Sequence, residues 1–231
     1  MFTYNTVVRY EDLDSEGLVK ATAVLQYLQN TAVMHSACAG YDIYKMAELD
    51  LGWVVMCWDV RLGRRIRWNE KLRVETWPYT FSGSFGKRCF RILSETEEIL
   101  AEADSWWALL RLSDQMMVKP SQEMVDAFGV GGKPFFALKR PKGAAERTES
   151  GFSVTRFDID TNGHVNNSRF AEMACSYVPQ MARVRELMIE YKHPAHLGDR
   201  IVPSYTASED GTYVCLSQED GVPYVKMKAQ Y

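Results

Sequence analysis

Three polar residues stand at alternate positions in the second half of the chain. Asp160, Asn162 and His164 are separated by single residues and come directly before a segment with helical spacing. Alternate side chains of an extended or turning segment point the same way, so a carboxylate, an amide and an imidazole would come together. Such groups can orient water, stabilise negative charge and move a proton, and the free N–H groups at a helix start suit an oxyanion. The triplet therefore predicts a catalytic site.

Other roles for this loop are weighed against catalysis. The run beginning at Asp158 matches the first half of a calcium-binding EF-hand loop, but its twelfth position, which requires Glu, is Arg169. Asp160 taken alone could simply cap a turn or a helix. Asn166 and Asn167 are expected to be helix caps. Catalysis is favoured for the triplet because it includes an imidazole.

Two further groups could carry chemistry. His193 and His196 flank a proline and resemble a metal-binding pair, but no third ligand has suitable spacing, so no metal is expected. Cys175 could act as a thiol nucleophile paired with His164. A buried cysteine is more often a small apolar residue, and we favour that interpretation.

The loop that carries the triplet occurs twice. Residues 12–19 align with residues 158–165, at an offset of 146 and with four identities in eight positions. At the amide and imidazole positions the first copy has Glu16 and Leu18, so the predicted chemistry lies in the second copy. An internal repeat of this kind indicates two structurally similar units.

The elements around each loop follow one plan. Apolar residues at three- and four-residue steps predict a helix from Ala21 to about Gly40 and another near 166–178, with a short one at 121–128. Strands are predicted at 2–9, 51–62, 71–81, 85–94, 98–112, 151–157, 186–193, 199–207, 211–218 and 222–230.

The repeat predicts an α+β fold of two units, each with a long helix packed on a curved antiparallel sheet. We place the first repeat at 1–130 and the second at 151–231. The segment 131–150 is rich in Gly, Pro and Lys and is expected to be a linker, lying on the surface through Phe135 and Phe136.

Composition excludes several classes of protein. Of the 231 residues, 46% are hydrophobic and 25% charged, which disordered and fibrous chains do not match. No apolar run approaches the roughly 18 residues of a membrane span, and the start has no secretory pattern. Five scattered cysteines without a C-x-x-C pair fit a reducing cytosol, so a cytoplasmic location is expected.

Charge is unevenly distributed along the chain. Nine Lys or Arg residues against two Glu residues fall between Arg61 and Arg91, whereas the whole chain has a net charge of −3. Such a segment could attract an anionic partner or be a solvated face of a sheet. The acidic balance of the chain argues against nucleic acid.

The second-copy motif resembles a known family. Residues 160–170, DTNGHVNNSRF, are similar to the D-x-N-x-H-V-N-N-x-x-Y signature of acyl-acyl-carrier-protein (acyl-ACP) thioesterases, and the first-copy D-x-D-x-x-G start fits the same family. The resemblance covers nearly the whole chain and implies a double hotdog fold. It implies Asp160, Asn162 and His164 as catalytic residues.

The resemblance also implies a reaction and a partner. The family hydrolyses the thioester between a fatty acyl chain and the phosphopantetheine arm of acyl carrier protein, which releases free fatty acid for lipid metabolism. It uses no metal and no organic cofactor, and its partner is the acyl carrier protein rather than nucleic acid or a membrane. The six tryptophans all fall in the first half, where they are expected either to pack in the core and the sheet or to line an apolar tunnel, and in the second case the first repeat would hold the acyl chain.

The chain departs from the plant members of that family. They have E-Y-R-R-E-C downstream of the signature, where residues 190–195 here are EYKHPA, so the second Glu and the Cys are absent. The signature Tyr is Phe170. These changes disfavour a thiol mechanism and suggest a bacterial member, with Glu190 or His193 as candidates to complete the site.

Several alternatives stay open at this point. Asp160 could act as a general base on water or attack the thioester directly. The chain could be an acyl-CoA thioesterase that uses Asp14 or Asp160, a hotdog hydratase, or a non-catalytic acyl-carrier binding protein. Acyl chain length is undetermined, and both a monomer and a homodimer are compatible with the sequence.

Overall fold

The computed structural model describes residues 1–160 and 163–231. The chain forms two compact units. Met1–Met56 and Val60–Leu138 make the first unit, and Cys57–Asp59 and Lys139–Tyr231 make the second. Within the described ranges, no helix is both long enough and apolar enough to cross a membrane.

The first unit is built around one antiparallel sheet. Its elements are β1 (Phe2–Val7), α1 (Ala21–Cys38), α2 (Ile43–Glu48), β2 (Leu51–Leu62), β3 (Lys71–Ser82), β4 (Phe85–Ser94), β5 (Ile99–Arg111) and α3 (Gln122–Phe128). The strand order is β1-β3-β4-β5-β2, and β1, β3, β4 and β5 pair antiparallel in that order. The predicted strands and the predicted helices α1 and α3 are confirmed, whereas α2 was not predicted.

The long helix α1 packs on β1 and β3. Its buried residues include Leu25, Leu28 and Ala32, which recur at three- and four-residue steps and so share one face. On the sheet, Phe90 and Ile92 of β4 are fully buried. The apolar spacing that predicts the helix is therefore the spacing that holds it against the sheet.

The second unit repeats this plan with a shorter helix. Its elements are β6 (Arg147–Thr148), β7 (Phe152–Ser153), α4 (Asn167–Cys175), β8 (Glu186–Tyr191), β9 (Arg200–Ser208), β10 (Gly211–Ser217) and β11 (Pro223–Gln230). The main strands lie in the order β8-β11-β10-β9, and β6 and β7 both pair with β9. The helix α4 packs on β10 and β11.

Two boundaries predicted for the second unit are wrong. The strand expected at 151–157 stops at Ser153, because Arg156–Asp158 form a 3-10 turn whose Asp158 side chain accepts the Thr155 N–H at 2.8 Å. The helix expected to reach residue 178 ends at Cys175. The four strands predicted from residue 186 onwards are confirmed.

Strand pairing is irregular at one place in each unit. The β3–β4 register shifts between Pro78 and Thr80, and the β10–β11 register shifts between Leu216 and Ser217. Proline cannot donate to a ladder and is tolerated at such bulges, which bend the strand and increase its twist. The expected curvature has this local cause.

The predicted linker begins as a strap on the first unit. The Phe135 ring lies edge-on to Trp77 at 5.2 Å and beneath the Arg91 guanidinium at 4.2 Å. The Arg61 guanidinium lies 3.7 Å above the Phe136 ring. The expectation that both phenylalanines lie against the protein surface is confirmed.

The basic segment is largely neutralised by carboxylates of its own unit. Five of its cations form ion pairs: Arg64 with Glu70 and Glu98, Arg65 with Asp14, Lys71 with Glu95, Arg73 with Glu75 and Glu97, and Arg91 with Glu102. Exposed pairs of this kind add little stability, but their charges cancel. The positive charge of the 61–91 segment in the folded protein is therefore smaller than its surplus of Lys and Arg over Glu indicates.

One buried carboxylate in the first unit should make stability depend on pH. Asp104 is 1% exposed, and its oxygens accept the Tyr79 hydroxyl at 2.9 and 3.1 Å and the Ser105 N–H at 2.7 Å. Burial raises the pKa of Asp104 to about 6, against the lowering effect of those hydrogen bonds. Between pH 4 and 6 the folded state thus holds this proton more tightly than the unfolded state.

We expect Asp104 to contribute stability below about pH 4 that is lost as the pH rises through 6, on the order of 3 kcal/mol. Urea unfolding of wild type and Asp104→Asn at several pH values measures it. The difference in unfolding free energy, wild type minus variant, should fall across that interval, whereas the exposed Asp210→Asn should give a constant difference. A constant difference for Asp104→Asn as well would contradict the assignment.

Candidate active site

A tight turn brings Asp160 and His164 together. The Asp160 N–H donates to the His164 carbonyl at 2.8 Å, and the Gly163 N–H donates to the Asp160 carbonyl at 3.1 Å. The Asp160 side chain accepts the His164 N–H at 3.4 Å, and a bridge between Ile159 and Val165 closes the turn. Gly163 has a φ of 78°, a left-handed conformation that glycine adopts without strain.

The neighbours of this turn have separate roles. Asn162, with Thr161, lies outside the described residues. Asn166 caps α4, because its side chain accepts the Ser168 N–H at 2.9 Å, as the sequence predicts. Asn167 is the first residue of α4 rather than its cap. The turn therefore leads directly into a capped helix.

Asp158 connects the residue before the turn, Thr155, to the helix that follows the turn. Its carboxylate accepts the Thr155 N–H at 2.8 Å and hydroxyl at 2.6 Å and pairs with Arg169 of α4 at 3.1 Å. Its carbonyl accepts the Asn166 N–H at 2.8 Å. Burial would raise the pKa of Asp158, but the Thr155 and Arg169 contacts outweigh it and hold the pKa below its usual value. Asp158 is thus a structural carboxylate.

The His164 ring is in contact with a second histidine. The His164 and His196 ring centroids are 4.9 Å apart, with the planes at 77° in an edge-to-face arrangement. Asp199 accepts the His196 backbone N–H at 2.8 Å, and one of its oxygens lies 3.6 Å from His196 Nδ1. From the sequence, His196 is predicted only as a possible member of a metal-binding pair. Its H-P-A-H setting gave no sign of which ring it would touch.

Metal binding has no geometric support in the described ranges 1–160 and 163–231. No group of three His, Cys, Asp or Glu residues there is arranged to hold a metal ion.

Cys175 lies at the end of α4 and is buried. Its sulfur is 3.8 Å from the Met227 sulfur of β11. Burial, with a smaller effect of the Glu172 charge, raises the pKa of this thiol to about 12. Near pH 7 the group is a protonated thiol packed among apolar atoms, which fits the structural role favoured from the sequence.

The two residues considered for completing the site lie elsewhere on the second unit. Glu190, on β8, pairs with Lys192 at 3.0 Å and with Arg140 at 3.4 Å. His193 is exposed, and its backbone N–H donates to the Tyr224 carbonyl at 3.4 Å. The polar group observed against His164 is instead His196.

The first-copy loop has the same backbone geometry but a different use of its carboxylate. The Asp14 N–H donates to the Leu18 carbonyl at 2.8 Å, and Gly17 has a φ of 73°. The Asp14 carboxylate accepts the N–H groups of Glu16 and Leu18 and pairs with Arg65. Burial raises the pKa of Asp14, but those N–H groups and Arg65 outweigh it and leave the pKa lowered.

The first unit contains an apolar cluster. Its buried members are Met46, Leu109, Met124 and Phe128, and partly buried Ala39, Tyr41, Leu51, Trp53, Phe81 and Val118 pack against it. The Trp53 ring is 5.8 Å from Phe81 and 6.4 Å from Phe128. The cluster therefore joins residues of α2, α3 and three strands through apolar and aromatic contacts.

A buried arginine borders that cluster. Arg88 is 8% exposed, its Nη1 lies 2.9 Å from His35 Nδ1, and its guanidinium is 5.7 Å from the Phe128 ring. Burial lowers the pKa of Arg88 to about 10. Burial and the Arg88 charge lower the pKa of His35 to about 4, so His35 is neutral near pH 7.

Comparisons with known proteins agree with this architecture. The family model described as acyl-ACP thioesterase N-terminal domain matches residues 1–128, and the model for the C-terminal domain of the same family matches residues 142–230. The chain therefore belongs to the acyl-ACP thioesterase family.

Individual relatives are distant. A palmitoyl-acyl carrier protein thioesterase of Gossypium hirsutum is 24% identical over the whole chain, and an acyl-[acyl-carrier-protein] hydrolase of Cuphea viscosissima is 27% identical. The chain spans 63% and 62% of the length of these two chloroplastic proteins. The crystal structure of an acyl-ACP thioesterase from Bacteroides thetaiotaomicron matches with a TM-score of 0.88 at 23% identity, covering 99% of this chain and 96% of that one. The predicted double hotdog fold is confirmed.

Proposed function

We propose that the protein hydrolyses the thioester of fatty acyl-ACP to a free fatty acid and holo-carrier protein. The observation that carries the proposal is the turn that holds Asp160 and His164 side by side at the start of α4. It lies in the part of the chain matched by the C-terminal domain of the acyl-ACP thioesterase family. A carboxylate and an imidazole before a helix are suited to activating an oxygen nucleophile and to stabilising an oxyanion.

In the proposed reaction an oxygen nucleophile attacks the thioester carbonyl carbon. Asp160 accepts the proton of the attacking water, and the carbonyl oxygen becomes an oxyanion stabilised by His164 and Asn162. When the oxyanion collapses, the C–S bond breaks and the thiolate takes up a proton. Direct attack by Asp160 is the alternative, in which the carboxylate forms an acyl-aspartyl anhydride as the C–S bond breaks and the thiolate leaves. A single turnover in ¹⁸O-labelled water would then label Asp160 if water attacks the aspartyl carbonyl of the anhydride, whereas general-base hydrolysis labels only the fatty acid.

The acyl chain is proposed to bind in the first repeat. The apolar cluster around Trp53, Phe81 and Phe128 offers aromatic and aliphatic contacts for methylene groups. His35, neutral near pH 7, and Arg88 form a polar border of that cluster. The two repeats are proposed to span 1–130 and 151–231, with a linker at 131–150.

Partner and location follow as further proposals. The partner is acyl carrier protein bearing a phosphopantetheine-linked acyl chain, and the enzyme needs no organic cofactor. All five cysteines lie in the described part of the chain and are free thiols, which supports a cytoplasmic location.

Thiol release from purified substrates tests the proposal. Acyl-ACP and acyl-CoA with chains of 8 to about 18 carbons should be compared under the same conditions, with the fatty acid identified by mass spectrometry. We expect faster release from acyl-ACP. Faster release from acyl-CoA would assign the protein to the acyl-CoA thioesterases, and binding of acyl-ACP without turnover would assign it to the binding proteins.

The first-copy aspartate should be dispensable for turnover. Because the Asp14 carboxylate is held by Arg65 and by two backbone N–H groups, Asp14→Asn is expected to keep kcat within about threefold of wild type. It should lower the free energy of unfolding by about 1 kcal/mol through the weakened ion pair and turn. Thiol release and urea unfolding measure the two effects. A collapse of kcat in this variant would move the catalytic carboxylate to Asp14.

A further inference from the structure

We propose that His196, held by Asp199, is a positioning residue that fixes the ring of His164 for thioester hydrolysis. The expected effect on turnover rests on the proposed function, whereas the contact between the His164 and His196 rings is seen in the structure. The polar support of His164 then comes from the loop after β8, rather than from Glu190 or His193, the candidates that the sequence offers.

The contact between the two rings is specific in distance and angle. Their centroids are 4.9 Å apart and their planes meet at 77°, within the range of favourable edge-to-face aromatic pairs. A ring in such a contact is restricted in rotation about its Cβ–Cγ bond. His164 therefore presents its nitrogens in a preferred direction.

The loop that carries His196 is attached to the loop that carries His164. The Val165 N–H, next to His164, donates to the Ala195 carbonyl, next to His196, at 2.8 Å. Further along the loop, Val154 exchanges two hydrogen bonds with the segment, accepting from Gly198 at 3.1 Å and donating to Asp199 at 2.9 Å. The two histidines are thus set by backbone pairing rather than by flexible side chains alone.

Asp199 in turn links His196 to the helix α4. Its carboxylate accepts the His196 N–H at 2.8 Å and lies 3.6 Å from the imidazole Nδ1. The Tyr224 hydroxyl lies 3.5 Å from the same oxygen, and the Tyr224 ring stacks on Phe170 of α4 at 6.0 Å. The contacts run from His164 through His196, Asp199 and Tyr224 back to the helix that follows His164.

These contacts are expected to affect the orientation of the His164 ring more than the stability of the fold. The His196 side chain is 59% exposed, so its replacement should leave the fold largely intact. The position of a catalytic imidazole, by contrast, affects rate strongly, because a misplacement of about 1 Å can reduce turnover by about 100-fold.

Three variants test the proposal. His196→Ala removes the ring, His196→Phe keeps a flat ring without the nitrogen that faces Asp199, and His193→Ala is the matched control on the same loop. We expect His196→Ala to lower kcat for acyl-ACP roughly 10- to 100-fold with KM within about twofold. The kcat of His196→Phe should be at least about threefold higher than that of His196→Ala, and His193→Ala should have the kcat of wild type.

Ring signals of His164 in NMR spectra provide a readout that needs no turnover. They should shift in His196→Ala and stay in place in His193→Ala. An active wild type with an unchanged His196→Ala kcat would overturn the positioning role, as would a His196→Phe variant no better than His196→Ala. An inactive wild type would overturn the proposed function alone, while unshifted His164 signals would overturn the ring contact itself.

Discussion

Replacing Asp160 by Asn is expected to lower kcat for acyl-ACP hydrolysis by roughly 10²–10⁴-fold. The amide oxygen can still accept the His164 N–H that the carboxylate accepts at 3.4 Å, so the turn should keep its shape. The amide cannot take a proton from water or act as a nucleophile at neutral pH. Thiol release under saturating substrate measures the loss.

Binding and stability should separate the chemical loss from a structural one. Acyl-ACP binding by the variant should stay within about threefold of wild type, and Tm within about 3 °C. Asp14→Asn is the matched control, because it makes the same change in the same backbone turn of the first copy. Asp160→Asn with wild-type turnover would remove Asp160 from the mechanism.

The second large effect is expected two residues earlier, on stability rather than on chemistry. Asp158→Ala should lower the free energy of unfolding by about 2–3 kcal/mol, because the partly buried hydrogen bonds from Thr155 lose their acceptor, whereas the ion pair to the half-exposed Arg169 adds little. Asp158 is 5% exposed, and its loss leaves the Thr155 N–H and hydroxyl without their acceptor and leaves Arg169 with only its ion pair to Glu172. Urea unfolding at pH 7 measures the change.

Acid should weaken the same interaction in the wild type. Because the folded-state pKa of Asp158 is lowered, its contribution is present above the ordinary aspartate pKa and is lost as the pH falls through the folded-state value. Asp160→Ala serves as the comparison, since it should abolish turnover with little change in unfolding. An Asp158→Ala variant as stable as wild type would contradict the structural role assigned to this carboxylate.

Most of the regular structure could be predicted from local patterns. The strand at 51–62 and the helix starting at Ala21 have the expected bounds because their apolar spacing also faces the core. The six-residue helix Ile43–Glu48 was missed, since it is too short for a periodic signal and begins at the Asp42 cap. The strand expected at 151–157 failed because Asp158 binds the backbone of Thr155 and turns the chain.

The candidate site was predictable only where its residues are close in sequence. Asp160 and His164 belong to one motif, whereas His196 meets His164 through pairing of loops that the sequence separates by about thirty positions. The charge balance around the 61–91 segment in the folded protein could not be predicted for a similar reason. Carboxylates such as Glu97 and Glu102 lie outside the segment and reach it through the sheet.

The duplicated turn separates shape from chemistry. In both copies the backbone is closed by an aspartate, a left-handed glycine and a valine, at Asp14, Gly17 and Val19 in the first. The residues that differ, such as Leu18 against His164, take no part in that closure through their side chains. One copy can therefore change its side chains without unfolding, so after a duplication a single copy is free to acquire or lose a reaction while both continue to start their helices.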